Sequence, residues 1–172
     1  FTSKESLEDA KECAENLGVK YDINSIKYAQ QSFESLLPNL KGLAHENTQS
    51  RIRGTLLMAL SNLTGAMLLT TGNKSEMAVG YCTIYGDMNG GYNPIKDVYK
   101  TNVYELAKWR NTVSKAIPER IITKAPSAEL RPDQTDQDSL PSYDLLDDIL
   151  FALIECDDTD CPNDVYDRIK DH

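Results

Sequence analysis

A chain of 172 residues is long enough for one domain of ordinary size and short for two. Hydrophobic residues at 40% and charged residues at 26% give a globular composition. The 27 acidic against 18 basic residues leave a net charge of −9, which argues against general nucleic-acid binding, because phosphate backbones are held by Lys/Arg patches.

In chain order, Thr2-x-x-Glu5 reads as a capping box. Leu7, Ala10, Ala14 and Leu17 follow at helical spacing, and Gly18 stops the helix. Residues 19–23 alternate like a short strand. Ser25 caps a second helix carrying Ile26, Ala29, Phe33, Leu36 and Leu37, which ends at Pro38. A long helix runs from about Asn47 to Leu63, with Ile52, Leu56, Ala59, Leu60 and Leu63 as its buried stripe and Gly65 as its stop. Residues 66–71 form a nearly continuous apolar run, the pattern of a parallel strand covered on both faces. Gly72-Asn73 turns the chain into a helix from Lys74 to Val79. Glycine and tyrosine then dominate residues 80–94, a loop built for function rather than packing. Its segment 81–93 is expected to act as a lid over substrates. Residues 101–113 form an amphipathic helix, residues 120–123 a candidate edge strand and residues 125–141 a loop. Residues 143–155 form an acidic amphipathic helix, and the final stretch is weakly helical. Strands alternating with helices predict an α/β architecture, a parallel sheet with helices on both faces.

No apolar run is long enough to cross a membrane, and no basic segment followed by an apolar one is legible near Phe1. The cysteines Cys13, Cys82, Cys156 and Cys161 match neither a CxxC pair nor a zinc pattern. Aspartates lie between Cys156 and Cys161, which disfavours a reactive thiolate. Reduced bystander thiols are the expectation. With His45 and His172 as the only histidines, a Ser-His-Asp triad and a multi-His metal site are both poor readings.

Three features carry chemistry. The segment Leu68-Leu69-Thr70-Thr71-Gly72-Asn73-Lys74-Ser75-Glu76 runs from a strand through a glycine turn into a helix start. Ligands of open parallel sheets sit at such strand ends, and a helix N-terminus offers N–H groups to phosphate. Thr71 is placed to bond a nucleotide and Glu76 to ligate Mg²⁺ through oxygen. The plainer reading is an ordinary turn with Glu76 favoured by the helix dipole. On the long helix, Asn47, Arg51, Gly54 and Met58 recur on the face opposite the leucines. Arg suits phosphate or carboxylate. A mid-helix glycine costs roughly 1 kcal/mol against alanine, so Gly54 signals a close approach. A solvated face with a packing glycine is the alternative. Lys96, Lys100 and Lys124 flank the glycine-rich loop and the one after it, either as polyphosphate ligands or as surface lysines. Ser127 is a lone hydroxyl that says little by itself.

Taken in order, Glu46-Asn47-Thr48-Gln49-Ser50-Arg51-Ile52-Arg53-Gly54, Leu69 through Tyr81, Tyr85-Gly86-Asp87, Pro94 through Thr101 and Lys124-Ala125-Pro126-Ser127-Ala128-Glu129-Leu130-Arg131-Pro132 closely resemble the synthetase domain of NAD(+) synthetases. Ile84 stands where the small-domain form has a lysine, so the resemblance is greatest to the glutamine-dependent branch. It implies an adenine nucleotide α-hydrolase-like fold and ATP-dependent amidation of deamido-NAD through an NAD-adenylate, with release of AMP and pyrophosphate. It also implies Mg²⁺, ammonia or glutamine as nitrogen source, a homodimer or larger assembly, and the cytoplasm. Nucleic acid and membrane are not among the implied partners.

By the same resemblance, Asn47 and Arg51 contact deamido-NAD and Thr71 contacts ATP. Glu76 serves the metal or deamido-NAD, and Lys100 neutralises ATP phosphate. Ser127 keeps a hydroxyl where many relatives have Thr, on the ATP side. Glu76 and Lys100 are the expected catalytic pair. The family's Ser-Gly-Gly-x-Asp-Ser phosphate loop, its first strands and its Lys/Arg-rich ending are not matched. Residues 1–172 are therefore expected to be a partial synthetase domain, inactive alone. Two other readings are a non-catalytic nucleotide-binding or dimerisation remnant, and another amide-forming ATP pyrophosphatase.

Overall fold

The computed structural model describes residues 2–156 and Asp167. Helix α1 (Lys4–Leu17) starts at Ser3, one residue later than the Thr2 cap read from the sequence. Ser3 Oγ accepts from Ser6 N–H at 3.1 Å, and Gly18 closes the helix in the left-handed region. Helix α2 (Lys27–Leu36) begins without a side-chain cap of its own, although Ser25 Oγ accepts from Lys27 N–H at 3.3 Å. Helix α3 (Gly42–Thr64) starts five residues before the expected Asn47 and stops at Gly65, whose φ of 71° suits a residue without Cβ. Then come α4 (Lys74–Ala78), α5 (Lys100–Val113), α6 (Glu119–Thr123) and α7 (Tyr143–Ile154), with a 3₁₀ turn at Asp136–Asp138. The weakly helical ending and Cys161 lie outside the described residues.

Three expectations need correction. Residues 120–123 are not an edge strand but most of α6: Pro118 is its N-cap, Glu119 sits in its first turn, and Arg120 ties it to Asp9 of α1. Residues 19–23 pair with nothing as a strand. The parallel sheet itself is reduced, among the described residues, to an isolated parallel bridge between Leu69 and Tyr92. Around that bridge, Thr70 N–H donates to Tyr92 O and Gly91 N–H donates to Leu68 O, both at 2.9 Å. Among the described residues the extended run 66–71 makes no longer ladder than this bridge, and Met67 and Leu69 are exposed.

The stripe predicted for α3 is also only half right. Ile52 is buried and Leu56 and Leu60 are half-buried, whereas Ala59 and Leu63 are exposed. Among the described elements it is α2 that packs on this helix.

The core sits where α7 meets α4 and α5. Tyr143, Leu146 and Leu150 recur at i, i+3 and i+7 on one face of α7 and bury against Tyr99, the N-cap residue of α5. Leu140 and Phe151 pack beside them, with the Tyr99 and Phe151 rings tilted at 58° and 6.4 Å apart. This cluster brings the first turns of α4 and α5 together.

Candidate functional site

A cleft of about 720 Å³ opens between α3, the first turns of α4 and α5, and residues 121–130. It collects Thr71, Glu76, Lys100 and Ser127, four of the residues picked from the sequence, together with Lys124 and Gly54. Lys96 lines a separate cavity of about 300 Å³ beside Cys82 and Tyr92.

Glu76 and Lys100 form an ion pair at 3.0 Å, each side chain less than a fifth exposed. Both oxygens of Glu76 are in use: Oε1 faces Lys100, and Oε2 accepts from Asn73 N–H at 3.2 Å. Asn73 Oδ1 in turn accepts from Glu76 N–H at 3.0 Å, which completes a capping box. Lys74 N–H donates to Val98 O at 2.9 Å. The first turn of α4, expected to offer N–H groups to phosphate, is therefore largely capped from within the protein. At α5, Lys100 N–H donates to Ser75 Oγ and Thr101 N–H to Asp147 Oδ2, both at 2.8 Å. What remains for a polyanion is side-chain cation: Lys100, Lys124 and Arg53 all line the cleft. Burial lowers the pKa of Arg53, partly offset by Glu129. Lys100 Nζ also lies 5.3 Å from the Tyr143 ring centroid and 5.9 Å from that of Tyr104.

Ser127 Oγ accepts from Glu129 N–H at 3.0 Å. Glu129 has a φ of 48°, rare for a residue with Cβ. Its carboxylate is anchored by Ser6 Oγ at 2.6 Å, Ser3 Oγ at 3.1 Å and Lys124 Nζ at 3.2 Å. Burial pushes the Glu129 carboxyl up, but these three donors outweigh it and hold it below the usual carboxylate value.

Asn47 and Arg51 are not part of the cleft lining. Asn47 Oδ1 accepts from the Thr83 hydroxyl at 3.0 Å, and Arg51 Nε donates to Ile84 O at 3.2 Å. Both residues grip the glycine-rich loop from α3. Ser50 strengthens the grip: its Oγ pairs with Asp87 Oδ1 at 2.9 Å, and Thr83 N–H donates to the same carboxylate oxygen at 2.9 Å. Gly54 is where the loop comes closest. A Cβ there would stand 2.6 Å from Gly86 O and 2.6 Å from Asn89 Nδ2. The close approach read from Gly54 is real, but what approaches is this loop. Residues 83–89 are thus docked on α3.

Sequence reasoning missed Ser75, Asp136 and Asp147. Ser75 is fully buried, and its hydroxyl donates to Asp147 Oδ1. Asp147 had a legible signal: it occupies the i+4 position in the Tyr143, Leu146, Asp147, Leu150 register, an acid on an otherwise apolar face. Asp136 is buried and lines the cleft. Its Oδ2 accepts from Tyr143 OH at 2.7 Å, and its Oδ1 has no hydrogen-bond partner among the described residues.

The cleft is lined by Lys100, Lys124 and Arg53 together with the carboxylates of Asp9, Glu76, Asp87, Glu129 and Asp136, and an extended segment that turns into a capped helix leads to it, a layout compatible with a nucleotide-binding α/β protein. Its solved relatives have that fold. The chain belongs to the NAD synthase family, whose profile matches residues 1–170. It is 58% identical over 164 residues to the glutamine-dependent NAD(+) synthetase of Acinetobacter baylyi, covering 91% of this chain and 30% of that protein. A solved glutamine-dependent NAD(+) synthetase of Acinetobacter baumannii, in complex with ADP, matches at TM-score 0.70 and 50% identity, covering 90% of this chain and 28% of the other. An NMN synthetase of Francisella tularensis matches at TM-score 0.79 and 28% identity, covering 98% of this chain and 67% of the other. The chain thus spans under a third of the length of its glutamine-dependent relatives.

Proposed function

We propose that these residues form the substrate-binding part of a glutamine-dependent NAD(+) synthetase, which amidates deamido-NAD at the expense of ATP. The observation that carries the reading is the Glu76–Lys100 pair set in a cleft with Lys124 and Arg53. In the first step a carboxylate oxygen of deamido-NAD attacks the α-phosphorus of ATP, and pyrophosphate leaves. In the second, ammonia attacks the carboxyl carbon of the adenylate, AMP leaves, and a proton is lost to water. Both reactants of the first step are polyanions, so the barrier is largely mutual repulsion and misalignment. Lys100, Lys124 and Arg53 supply positive charge to the cleft, beside carboxylates that include Glu76 and Glu129.

Lys100 is assigned to the ATP phosphates, Thr71 and Ser127 to ATP, and Asn47 and Arg51 to deamido-NAD through the loop face of α3. Glu76 is assigned to the metal or to deamido-NAD. Mg²⁺ prefers oxygen donors and is held by one or two protein carboxylates plus substrate phosphate. Glu76 would be its protein ligand, through the carboxylate lone pairs left beside Lys100 and Asn73 N–H. When bound, the ion would screen phosphate charge. A homodimer or larger assembly and a cytoplasmic location belong to the same reading and rest on the resemblance.

The NMN synthetase likeness is the one competitor with an observation behind it, but 28% against 58% identity favours the dinucleotide substrate. The test is pyrophosphate release and NAD formation by the intact natural protein with ATP, ammonia or glutamine, and either deamido-NAD or the mononucleotide carboxylate. Turnover that depends on deamido-NAD supports the proposal. Turnover with the mononucleotide alone, or none with either, overturns it.

A further inference from the structure

The Lys100 side chain starts from the first residue of α5, where the macrodipole is positive and disfavours a cation. The residue before it, Tyr99, supplies no side-chain cap. The job of a cap is done from elsewhere in the chain. Asp147, at the middle of α7 and 5% exposed, receives three hydrogen bonds. Its Oδ2 accepts from Thr101 N–H and from the Thr101 hydroxyl, each at 2.8 Å, and its Oδ1 accepts from the Ser75 hydroxyl. Ser75 Oγ in turn accepts from Lys100 N–H at 2.8 Å.

One buried carboxylate therefore fixes the residue before Glu76 and the residue after Lys100, and through Ser75 it also fixes Lys100 itself. We propose that Asp147 is a positioning residue for adenylation, holding Glu76 and Lys100 in register across the cleft by tying the first turns of α4 and α5 to α7. This rests on the assignment of Glu76 and Lys100 to the site. Asp147 is not among the residues that line the cleft. A carboxylate is the fitting group, because it accepts on both oxygens and its charge complements the positive end of α5, whereas an amide in its place accepts on one side only. A serine hydroxyl that both donates and accepts relays the constraint to Lys100. Ser75 and Asp147 are themselves buried, so a bond lost between them is not replaced by water.

Coupling separates this role from plain support of the fold. Pyrophosphate release is measured in the intact natural protein for Asp147→Asn, Lys100→Met and the double variant, with thermal unfolding on the same samples. Residues that act through one another are non-additive. The expected result is a kcat loss of about tenfold or more for Asp147→Asn alone, and less than about twofold for the same change in the Lys100→Met background. An equal loss in both backgrounds overturns the proposal and leaves Asp147 a stability residue. So does the absence of a loss in the first. If Lys100→Met turns over like wild type, the site assignment fails, and the positioning role fails with it. Should Asp147→Asn not fold, Ser75→Ala carries the same cycle with little change of side-chain volume, and the same outcomes decide.

Discussion

Lys100 Nζ lies 3.0 Å from Glu76 Oε1, and each charge belongs to the first turn of its own helix. A carboxylate there is favoured by the dipole of α4, whereas the lysine is opposed by that of α5. The lysine is kept in place by the acid and by two aromatic faces. A cation held against the local field is costly unless it is used. Glu76→Gln and Lys100→Met in the intact protein should each lower kcat for pyrophosphate release by at least roughly 10²-fold. Because both side chains are mostly buried, each change should also cost about 1–2 kcal/mol of stability, more than for a surface pair. Unchanged turnover in both variants removes the pair from the mechanism.

Gly54 tests the docking of the glycine-rich loop. Alanine would gain roughly 1 kcal/mol in helix propensity. Its Cβ would meet Gly86 O and Asn89 Nδ2 at 2.6 Å and Tyr85 O at 3.0 Å. Two of those three atoms are backbone, so the loop must move. Gly54→Ala should therefore be destabilising by about 1–3 kcal/mol overall, as overpacking usually is. Amide exchange should rise at Gly86 and Asn89, whose N–H groups bond within the loop. A variant that is more stable than wild type, with unchanged exchange, would refute the docking.

The helices with strong caps were readable. Gly18 and Gly65 mark their ends in the sequence, and the apolar period of α7 is local, whereas the capping box of Asn73 and Glu76 emerged only in the structure. Residues 120–123 misled because Ile-Ile-Thr carries β-branched preference, which tertiary context overrides. The overriding contact is Arg120 to Asp9, at 2.9 Å to each carboxylate oxygen and 111 residues away in the chain. Thr71, Glu76, Lys100 and Ser127, which line the cleft, were singled out because they sit in one recognisable motif series. Ser75 and Asp147 were not, since their role exists only where α4, α5 and α7 meet. Asn47 and Arg51 were rightly singled out as polar residues on α3, but the loop they hold lies more than thirty residues downstream.

Glu129 links acid sensitivity to the cleft wall. Its carboxyl is held below the ordinary carboxylate value, despite burial, by Ser6, Lys124 and Ser3. The ionised form is therefore favoured in the folded state. This contribution is full above the unfolded-state pKa and is lost as pH falls through the lower folded-state value. Thermal stability should decline on acidification below about pH 4.5. Glu129→Gln should be less stable than wild type near neutrality and should show a shallower decline in acid. Parallel acid limbs for the two proteins would show that Glu129 does not contribute.

The alkaline limb should report on Asp136. Burial is the first cause that raises Tyr81, and the charge and hydrogen bonding of Asp136 come next; together they push its hydroxyl up to about 12. Tyr143 is raised as well, by burial first and then by donating to Asp136 Oδ2 at 2.7 Å. For a phenol the raised value favours the neutral form. Its contribution is full below the unfolded-state pKa near 10 and is lost as pH climbs through the folded-state value. Absorbance titration near 295 nm should therefore show a late component in the wild-type chain, and Tyr81→Phe should remove the part centred at about 12. Asp136→Asn deletes the charge but keeps an acceptor for Tyr143, so it should move the Tyr81 midpoint down without returning it to 10, because burial remains. A Tyr81 midpoint unmoved by Asp136→Asn would leave burial as the sole cause and separate Asp136 from this wall of the cleft.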